Sequence, residues 1–597
     1  MCGISTVYRY QSINEEDIQK LQLMNEEMYY RGPDDQGLWH DEHCGLAQVR
    51  LSIIGLEKGK QPLFNEDKSL VLVCNGEIYN YIELKEDLQK KGHIFNSQSD
   101  SETILHLYEE YAEKCVEYLR GMFAFCIWDT QKKQLFAARD RIGEKTLYYA
   151  EIPCGVVFSS ELKAILKYYI EKPQINFQSL AEPIRYTSPI NKKDTFIEQI
   201  KRVEPGQYII VDQSGIRKYQ YWKRDWSDRY QMSLEEAKKE TFRLMCESVD
   251  LCLRSDVPVA VMLSGGVDSS AIAALAKETG REIHTITVGY KGKFDCDERS
   301  IAKRFAKEKG LIYHEIELDE NDYKNSFDEF TNYIDEPVTD TAAVAQWTMY
   351  KKVKKLGFKV LLSGMGGDEL FYGYQYWNDL AESLYLHRYH QALFPWKGVQ
   401  KKKAWLQFIF KNLKYVLFAG YPMKVADSSI GFWQYPSYLN FESDAIFNFD
   451  HQTFRFRDLN LHVDFGKCEP GKEIDLIYEF NFDCLMTMAF VYLSDRLGMG
   501  NSLEIRSPWL DYQLIDFVSG LPIDIKFRKN QPKFLMKEIL KGIVPDYILY
   551  AKKKGFTPPD DYINEIVQNY HYQFINSKFK YYNSVLADRL LNLNLKK

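Results

Sequence analysis

The spacing of hydrophobic residues divides the chain into two parts with different predicted sheets. Over residues 1–165, short apolar runs such as 70–74 and 123–128 are separated by turns, which predicts strands. Helical periodicity predicts helices near 14–30, 80–91 and 102–119. Strand-like runs continue as far as residues 207–211, so the first part extends well beyond position 165.

The second part alternates strands with helices. A polar segment at 223–233 precedes a periodic helix at 234–253, and strands are predicted before residue 264, at 283–288 and at 359–362. Such alternation favours a parallel sheet with crossover connections. We therefore predict an α/β protein with domains at 1–225 and 226–597. An insert rich in aromatic residues and lysine is predicted at 378–475, and its default interpretation is additional helical packing.

Composition and charge exclude several classes of protein. The chain has 597 residues, of which 45% are hydrophobic and 27% charged, and this length exceeds what one hydrophobic core usually supports. A net charge of −7 argues against nucleic-acid binding, which needs a basic surface. We expect no membrane span and no signal peptide. The 11 cysteines form no Cys-x-x-Cys pair, which favours reduced thiols and a cytoplasmic location.

A glycine-rich loop lies where a predicted strand turns into a predicted helix. The apolar run 257–263 precedes Ser264-Gly-Gly-Val-Asp-Ser-Ser270, and helical residues 271–277 follow. Glycines let backbone N–H groups approach an anion, the serines add hydroxyl donors, and the helix N-terminus adds partial positive charge. The lysine-containing P-loop pattern is absent. These residues predict a pyrophosphate site, and a turn in which Asp268 caps the helix is the alternative.

Cys2 can combine a nucleophile and a base in one residue. Its small side chain normally allows the initiator methionine to be removed, leaving an α-amine with a reference pKa of about 7.7 to 8.0. Such an amine can accept the proton of the neighbouring thiol near neutral pH. Taken alone, Cys2 fits an ordinary small residue as well.

Further motifs accompany Cys2 and the glycine-rich loop. They are Arg31-Gly-Pro-Asp-Asp35, Arg50-Leu-Ser-Ile53, Gln61-Pro-Leu63, Asn75-Gly-Glu-Ile-Tyr-Asn80, Ser99-Asp-Ser-Glu102 and Arg139-Asp-Arg-Ile-Gly143. The loop resembles the signature of ATP pyrophosphatases, and the whole set resembles the asparagine synthetase family of glutamine-dependent amidotransferases. The resemblance implies an N-terminal nucleophile α/β/β/α sandwich followed by a doubly wound parallel-sheet ATP pyrophosphatase domain.

The resemblance also implies a glutaminase site in the first domain, where a thiol attacks the glutamine amide and releases ammonia. The implied residues are the nucleophile Cys2, the oxyanion-binding Asn75 and backbone N–H of Gly76, the carboxylate-clamping Arg50, and the ammonium-binding Glu77 and Asp100.

A second implied site binds ATP and Mg²⁺ in the other domain. Asp268 and Asp368 would hold the metal on the pyrophosphate, and Lys533 and Lys553 would face the phosphates. A second glycine-rich corner begins at Ser363 and contributes to the adenosine site. The implied ATP-binding residues are Met262, Ser264, Gly265, Gly266, Asp268, Ser269, Ser270, Val288, Ser363, Gly364 and Lys533.

Two positions depart from the family pattern. Val49 replaces a histidine before Arg50, and we expect little effect on the glutamine site. Met365 replaces a glutamate that lines the acceptor site, and methionine can neither pair with an ammonium nor take its proton. The role could move to nearby Glu369, Asp335 or Glu336.

The implied reaction joins the two sites. Ammonia from glutamine passes internally to a carboxylate activated as its acyl adenylate, forming an amide, AMP and pyrophosphate. L-aspartate is the leading acceptor, and a sugar uronic acid or another metabolite is the alternative. A tRNA-modifying ATP pyrophosphatase and an inactive scaffold are competing classes, disfavoured by the acidic charge and by the retained motifs. A homodimer is compatible with this prediction.

Overall fold

The structure, a computed structural model, describes residues 2–168, 173–186, 188–292, 294, 297–336, 338, 342–375, 378, 446–449, 452–455, 473–528, 530–552, 558–559, 562 and 575–576. Most of the predicted insert at 378–475 therefore lies outside the described residues, and so does Lys553.

The first part of the chain contains strands β1 to β12 and helices α1 to α6. The strands are β1 (Cys2–Arg9), β2 (Asp35–His40), β3 (Cys44–Arg50), β4 (Leu63–Phe64), β5 (Leu70–Ile78), β6 (Gly121–Asp129), β7 (Gln134–Arg139), β8 (Tyr148–Ile152), β9 (Gly155–Ser159), β10 (Ile200–Arg202), β11 (Gln207–Asp212) and β12 (Gly215–Gln220). The helices are α1 (Glu15–Glu27), α2 (Tyr81–Lys90), α3 (Glu102–Tyr111), α4 (Cys115–Tyr118), α5 (Leu162–Tyr168) and α6 (Phe177–Tyr186).

These elements form two stacked sheets between helices. One six-stranded sheet has the order β10-β8-β9-β1-β3-β2 and the other β12-β11-β7-β6-β5-β4. Buried side chains such as Ile4 and Val73 pack between the sheets. The outer face of the first sheet packs against α1 and α5, and that of the second packs against α2 and α3. The predicted α/β/β/α sandwich is confirmed.

The second part contains the remaining elements. The helices are α7 (Leu234–Cys252), α8 (Val267–Glu278), α9 (Arg299–Lys309), α10 (Glu320–Phe330), α11 (Ala342–Lys355), α12 (Gly367–Leu370), α13 (Glu473–Asn481, continued by a π-helical stretch Phe482–Phe490), α14 (Val491–Gly500), α15 (Tyr512–Ser519), α16 (Ile523–Lys526), α17 (Phe534–Leu540) and α18 (Asp546–Leu549). The strands are β13 (Val259–Met262), β14 (His284–Tyr290), β15 (Ile312–Leu318), β16 (Val360–Leu362), β17 (Ile446–Phe449), β18 (Gln452–Arg455), β19 (Glu504–Arg506) and β20 (Ile575–Asn576).

The predicted parallel sheet is present and is covered on both faces. Its order is β15-β14-β13-β16-β19, and every neighbouring pair is parallel. Successive residues of β13 enter opposite cores: Val261 packs with α7 and α8, whereas Ala260 packs with α10 and α11. Such alternation follows from the two-residue period of a strand. The predicted boundary at residue 225 stays a prediction, although β12 ends at Gln220 and α7 begins at Leu234.

One long helical stretch has the length and composition of a membrane span, which the sequence analysis did not expect. It covers Ile474–Gly500, has a mean hydropathy of 1.3 in its most apolar window, and 67% of that window is buried inside the protein. Side chains such as Ile477 and Phe482 belong to the core of the second domain. This burial is that of a core helix.

Charged side chains are buried where the two domains meet. Arg31 of the first domain pairs with Asp495 of the second at 2.8 Å, and Arg496 of the second domain contacts Glu161 of the first. Within their own domains, Arg31 also lies 3.1 Å from Glu161 and Arg496 lies 3.2 Å from Asp335. Lys145 lies 3.4 Å from the carboxylate of Asp495. The domains are thus joined by ion pairs removed from solvent, whose partners must remain together because an unpaired buried charge is costly.

Candidate active site

The first candidate site begins with the pairing of β1 and β3. Cys2 lies opposite Arg50 in the register of these antiparallel strands, so their side chains share one face. The Cys2 nitrogen donates a hydrogen bond of 3.0 Å to Oδ1 of Asn75 on β5, in the other sheet. The structure therefore brings together the predicted nucleophile, carboxylate clamp and oxyanion donor.

Asn75 has a buried donor directed away from this bond. Its Oδ1 accepts from Cys2, and its Nδ2 has no hydrogen-bond partner among the described residues although the side chain is 0% exposed. A buried donor without a partner costs free energy unless a ligand satisfies it. Neighbouring Gly76 is required because a Cβ there would lie 2.1 Å from the Met122 carbonyl oxygen. Asn75 can therefore bind a developing oxyanion beside Cys2.

Arg50 is held by main-chain acceptors. Its Nη2 donates to the carbonyls of Ile54 at 3.0 Å and Gly55 at 2.8 Å. Within the described residues no carboxylate forms an ion pair with this guanidinium, which is only 5% exposed. A Cβ at Gly59 would lie 2.2 Å from Nη2, so glycine there makes room for the side chain. The positive charge remains available for a ligand carboxylate.

Glu77 and Asp100 lie at the same site. The Ile78 N–H donates to Asp100 Oδ2 at 2.7 Å, and Glu77 lies 3.6 Å from Arg506 of the second domain. Burial raises the pKa of both carboxyls, and for Glu77 the charges of Glu504 and Asp100 raise it further, despite Arg506. An ammonium bound between them would favour their ionised forms.

Burial raises the pKa of the Cys2 thiol, and the nearby Arg50 guanidinium offsets this only in part. The raised pKa disfavours the reactive thiolate. The thiol therefore needs a base, which is the role predicted for the α-amine.

Val49 lies on the other face of β3. It pairs with Gly3, packs in the core formed with α1, and is 0% exposed. Its side chain thus points away from Arg50 and Cys2, which agrees with the small effect expected for this departure.

The second candidate site is a cavity of about 350 Å³ at the carboxyl ends of β13 and β16. Ligands bind at such edges of open parallel sheets. The predicted residues that line it are Met262, Ser264, Asp268, Ser269, Val288, Ser363, Gly364 and Asp368. The Ser264 and Ser269 hydroxyls lie 3.0 Å apart, and Gly265 has a φ of +82°, which favours glycine. Gly266 is the N-cap residue of α8.

Four of the predicted ATP-site residues do not line the cavity: Gly265, Gly266, Ser270 and Lys533. Ser270 is 0% exposed on α8, whereas Asp268 and Ser269 of the same helix line the cavity. Each helical residue turns about 100° from the one before it, so Ser270 faces the core rather than the ligand side. The predicted Lys553 lies outside the described residues.

Lys533 joins the two aspartates predicted to hold Mg²⁺. Its Nζ contacts Asp268 and lies 2.7 Å from Asp368. Burial disfavours the charged lysine, but the two carboxylates outweigh this and raise its pKa. A Cβ at Gly367 would lie 2.3 Å from Asp268 Oδ1, so glycine there lets the carboxylate approach. Two neighbouring carboxylates fit a Mg²⁺ that also binds substrate phosphates.

Met365 lines the ATP cavity together with Glu369. Of the carboxylates that could replace the missing family glutamate, Asp335 pairs with Arg496, and Glu336 pairs with Arg202 and accepts from Tyr148 at 2.7 Å. Neither lines the cavity. Glu369 therefore remains the candidate from this group.

Arg31 is a residue whose role the sequence analysis did not assign. Its Nε donates to the Cys2 carbonyl at 3.0 Å, while its other nitrogens bind Glu161 and Asp495. Its position at the start of the motif Arg31-Gly-Pro-Asp-Asp35 was a signal that could have identified it, but its partners are distant in sequence.

Comparison with known proteins decides the family. Residues 1–222 match the glutamine amidotransferase domain, and residues 241–595 match the asparagine synthase family. The chain belongs to the asparagine synthase family. It is 33% identical over 590 residues to asparagine synthetase [glutamine-hydrolyzing] 1 of Bacillus subtilis, covering 95% of this chain and 89% of the relative.

Relatives of this asparagine synthase family member also include proteins with another name. Amidase chry2 of Gibberella zeae is 28% identical, covering 94% of this chain and 89% of the relative. Among solved structures, glutamine phosphoribosylpyrophosphate amidotransferase from B. subtilis gives a TM-score of 0.29 at 14% identity, covering 61% of this chain and 82% of that one.

Proposed function

We propose that this family member hydrolyses glutamine at Cys2 and uses the ammonia to amidate an adenylated carboxylate. The observation that carries the proposal is the buried, unpartnered Asn75 Nδ2 beside Cys2, opposite a guanidinium without a carboxylate partner among the described residues. The α-amine of Cys2 takes the thiol proton, and the thiolate attacks the glutamine amide. Asn75 and the Gly76 N–H stabilise the oxyanion, ammonia leaves, and water releases glutamate from the thioester.

The ammonia is proposed to pass between the domains. A small cavity of about 20 Å³ lies there, and residues of both domains line it. The lining includes Tyr79, Gly121 and Ile142 of the first domain, Cys252 and Leu510 of the second, and the charged Asp140, Arg141, Glu144 and Asp511. Gly121 is next in the chain to Met122, whose carbonyl packs against Gly76 of the glutamine site. This supports a route that keeps ammonia away from solvent.

In the second site, the proposed acceptor carboxylate attacks the α-phosphate of ATP and releases pyrophosphate; ammonia then displaces AMP. Asp268 and Asp368 would hold Mg²⁺, which neutralises charge on the phosphates. Lys533 would contribute a second positive charge once the carboxylates bind the metal. Backbone N–H groups at the start of α8 would bind the pyrophosphate.

L-aspartate is the proposed acceptor, with L-asparagine as product. A second candidate, another carboxylate such as a sugar uronic acid, is favoured by Met365, which gives the cavity an apolar side chain where the family pattern has a carboxylate. The amidase-named relative is compatible with a different acceptor. Glu369, which accepts from Tyr374 at 2.6 Å, supports aspartate if it binds the substrate ammonium.

An acceptor screen tests this proposal. Purified protein is given glutamine, ATP and Mg²⁺ with either aspartate or uronic acids, and AMP and amide products are measured. We expect AMP and asparagine with aspartate. AMP formation with a uronic acid alone would transfer the proposal to the second candidate, and no AMP with any acid would reject the synthetase function.

A further inference from the structure

A cluster of histidine and glutamate side chains lies on the first domain, outside both candidate sites. Glu66 follows β4, His93 follows α2, and His106 and Glu109 lie three residues apart on α3. One ligand atom from each lies within 4.8 Å of all the others. The cluster thus connects α3 with two separate loops on the outer side of the second sheet.

The distances within the cluster suit a tetrahedral ion. Glu109 Oε2 lies 2.8 Å from Nδ1 of His106 and 3.4 Å from Nδ1 of His93. The carboxylate of Glu66 lies 3.7 Å from Nδ1 of His106 and 3.9 Å from Nδ1 of His93. Ligands about 2.0–2.1 Å from a tetrahedral zinc are separated by about 3.4 Å. The observed distances between ligand atoms fall on both sides of this value. Small rotations of the side chains would therefore place the four ligand atoms at the corners of a tetrahedron.

One of the two imidazoles has a carboxylate within hydrogen-bond distance of its second nitrogen. His93 Nε2 lies 3.2 Å from Glu110. His106 Nε2 lies 3.7 Å from Glu102, too far for a hydrogen bond, and it has no hydrogen-bond partner among the described residues. Histidine ligands of metals typically donate their other N–H to a carboxylate, which fixes the tautomer and turns Nδ1 toward the ion.

The glutamates of the cluster are also oriented by neighbours. Glu109 Oε1 accepts from Asn65 at 2.8 Å, and Glu66 Oε1 accepts from the Ile94 N–H at 2.8 Å. Three of the four proposed ligands, His93, Glu109 and Glu66, therefore have a hydrogen-bonded outer partner, as is typical of metal sites. His106 is held by its burial in α3.

The cluster is open on one side. The side chain of His106 is 0% exposed and that of His93 is 13% exposed, whereas Glu109 and Glu66 are 26% and 32% exposed. An ion can enter past the glutamates and bind the buried imidazole. Two imidazole nitrogens with two carboxylate oxygens suit zinc better than Mg²⁺ or Ca²⁺, which prefer oxygen ligands alone.

We propose that Glu66, His93, His106 and Glu109 form a structural zinc site. The ion would fasten the middle and C-terminal part of α3 to the loops after β4 and α2. Because α3 begins at Glu102, directly after the segment that contains Asp100, the ion stabilises the support of the glutamine site without touching substrate. A metal-free cluster in which a protonated His106 pairs with Glu109 is the competing arrangement.

Zinc titration of the full-length protein tests the proposal. A Cys154→Ser parent is used because Cys154 is an exposed thiol that can bind zinc. After chelator treatment, Zn²⁺ binding is measured by calorimetry and metal analysis, and Co²⁺ is used as a spectroscopic probe of geometry. We expect one equivalent of Zn²⁺ in the parent, a higher unfolding temperature with Zn²⁺, and the visible absorption of tetrahedral Co²⁺.

Three variants make the result specific. The double variant His93→Gln with Glu109→Gln, which spares the buried His106, should lose the binding event. Glu110→Gln removes only an outer partner and should weaken binding about 10- to 100-fold. His43→Gln, a histidine outside the cluster, should bind as the parent does. Equal Zn²⁺ binding by the parent and the folded double variant, or no binding by either, would overturn the zinc site in favour of the ion-paired cluster.

Discussion

The glutamine site and the ATP site are built by different means. Cys2, Arg50 and Asn75 lie on strands β1, β3 and β5, whose register and main-chain hydrogen bonds fix their positions. In the ATP cavity, Asp268 and Asp368 follow the ends of strands and are joined by Lys533, a residue 265 positions from Asp268. A cation bound between these carboxylates, as proposed, would compete with Lys533. The proposed glutamine site is therefore assembled without a ligand, whereas the proposed ATP site would have to exchange an internal ion pair for its metal ion.

The largest expected effect is the loss of glutamine hydrolysis with retention of amide synthesis in the second site. Cys2→Ala should lower glutamine hydrolysis by about 10⁴-fold or more, since it removes the nucleophile. Amide synthesis from added ammonia should remain, because the ATP cavity is unchanged. Glutamate release and AMP formation are assayed in parallel. Loss of both activities would indicate a folding defect and would remove the distinction between the sites.

Asp268→Asn should impair the reaction in the ATP cavity and spare glutamine hydrolysis. It removes one proposed metal ligand and one partner of Lys533, so pyrophosphate release should fall on the order of 10³-fold. Glutamine hydrolysis should continue. Pyrophosphate release at the parent rate would contradict the assigned metal role.

Asn75→Ala should lower the kcat of glutamine hydrolysis by about 10²- to 10³-fold, the usual effect of removing one oxyanion donor. Asn80→Ala is the matched control, because Asn80 lies in the same motif but bonds to the backbone of Tyr118 and Arg120. Hydrolysis rates with glutamine should separate the two variants. Similar losses in both would point to a general disturbance of this segment of the chain.

Glu161→Gln should weaken the contact between the domains. Leaving Arg31 and Arg496 without this buried carboxylate should destabilise the protein by about 3–5 kcal/mol. Although burial opposes ionisation, Arg496, Lys163 and Arg31 lower the pKa of Glu161 to about 2. The stabilisation that ionised Glu161 gives the folded protein is therefore complete above the ordinary glutamate pKa of about 4.5, and it is lost as pH falls toward 2.

Urea unfolding at several pH values checks this expectation. The difference between the parent and Glu161→Gln should be largest near pH 7 and should shrink below pH 4.5. A difference that grows on acidification would contradict the assigned ion pairs.

The smallest expected effect comes from Met365→Glu. Glutamine hydrolysis should change by less than about twofold, since Met365 lines only the ATP cavity. The ratio of AMP formed with aspartate to AMP formed with uronic acids should rise, because a carboxylate can pair with the substrate ammonium. An unchanged ratio would mean that Met365 does not contact the acceptor.

Local patterns predicted the parallel sheet and the glycine-rich corner that contains Asp268, because alternating hydrophobicity and glycine-rich corners are short-range signals. The sandwich and the role of Asn75 were implied by the resemblance to asparagine synthetases, and that resemblance also selected Cys2 among the possible nucleophiles. The burial of Ser270 was not predicted, because a motif does not state which side of a helix each member takes. The pairing of Arg31 with Asp495, separated by 464 positions, has no local signal at all.

Any exchange of domains between related enzymes must preserve the contacts that Arg31 makes across the domain interface. Its guanidinium donates to the main chain of Cys2, the proposed nucleophile, and pairs with carboxylates of both domains. A chimera that joins this amidotransferase half to a foreign ligase half must therefore supply an acid at the place of Asp495. Without that acid, the buried Arg31 guanidinium next to Cys2 would lose its counterion from the second domain.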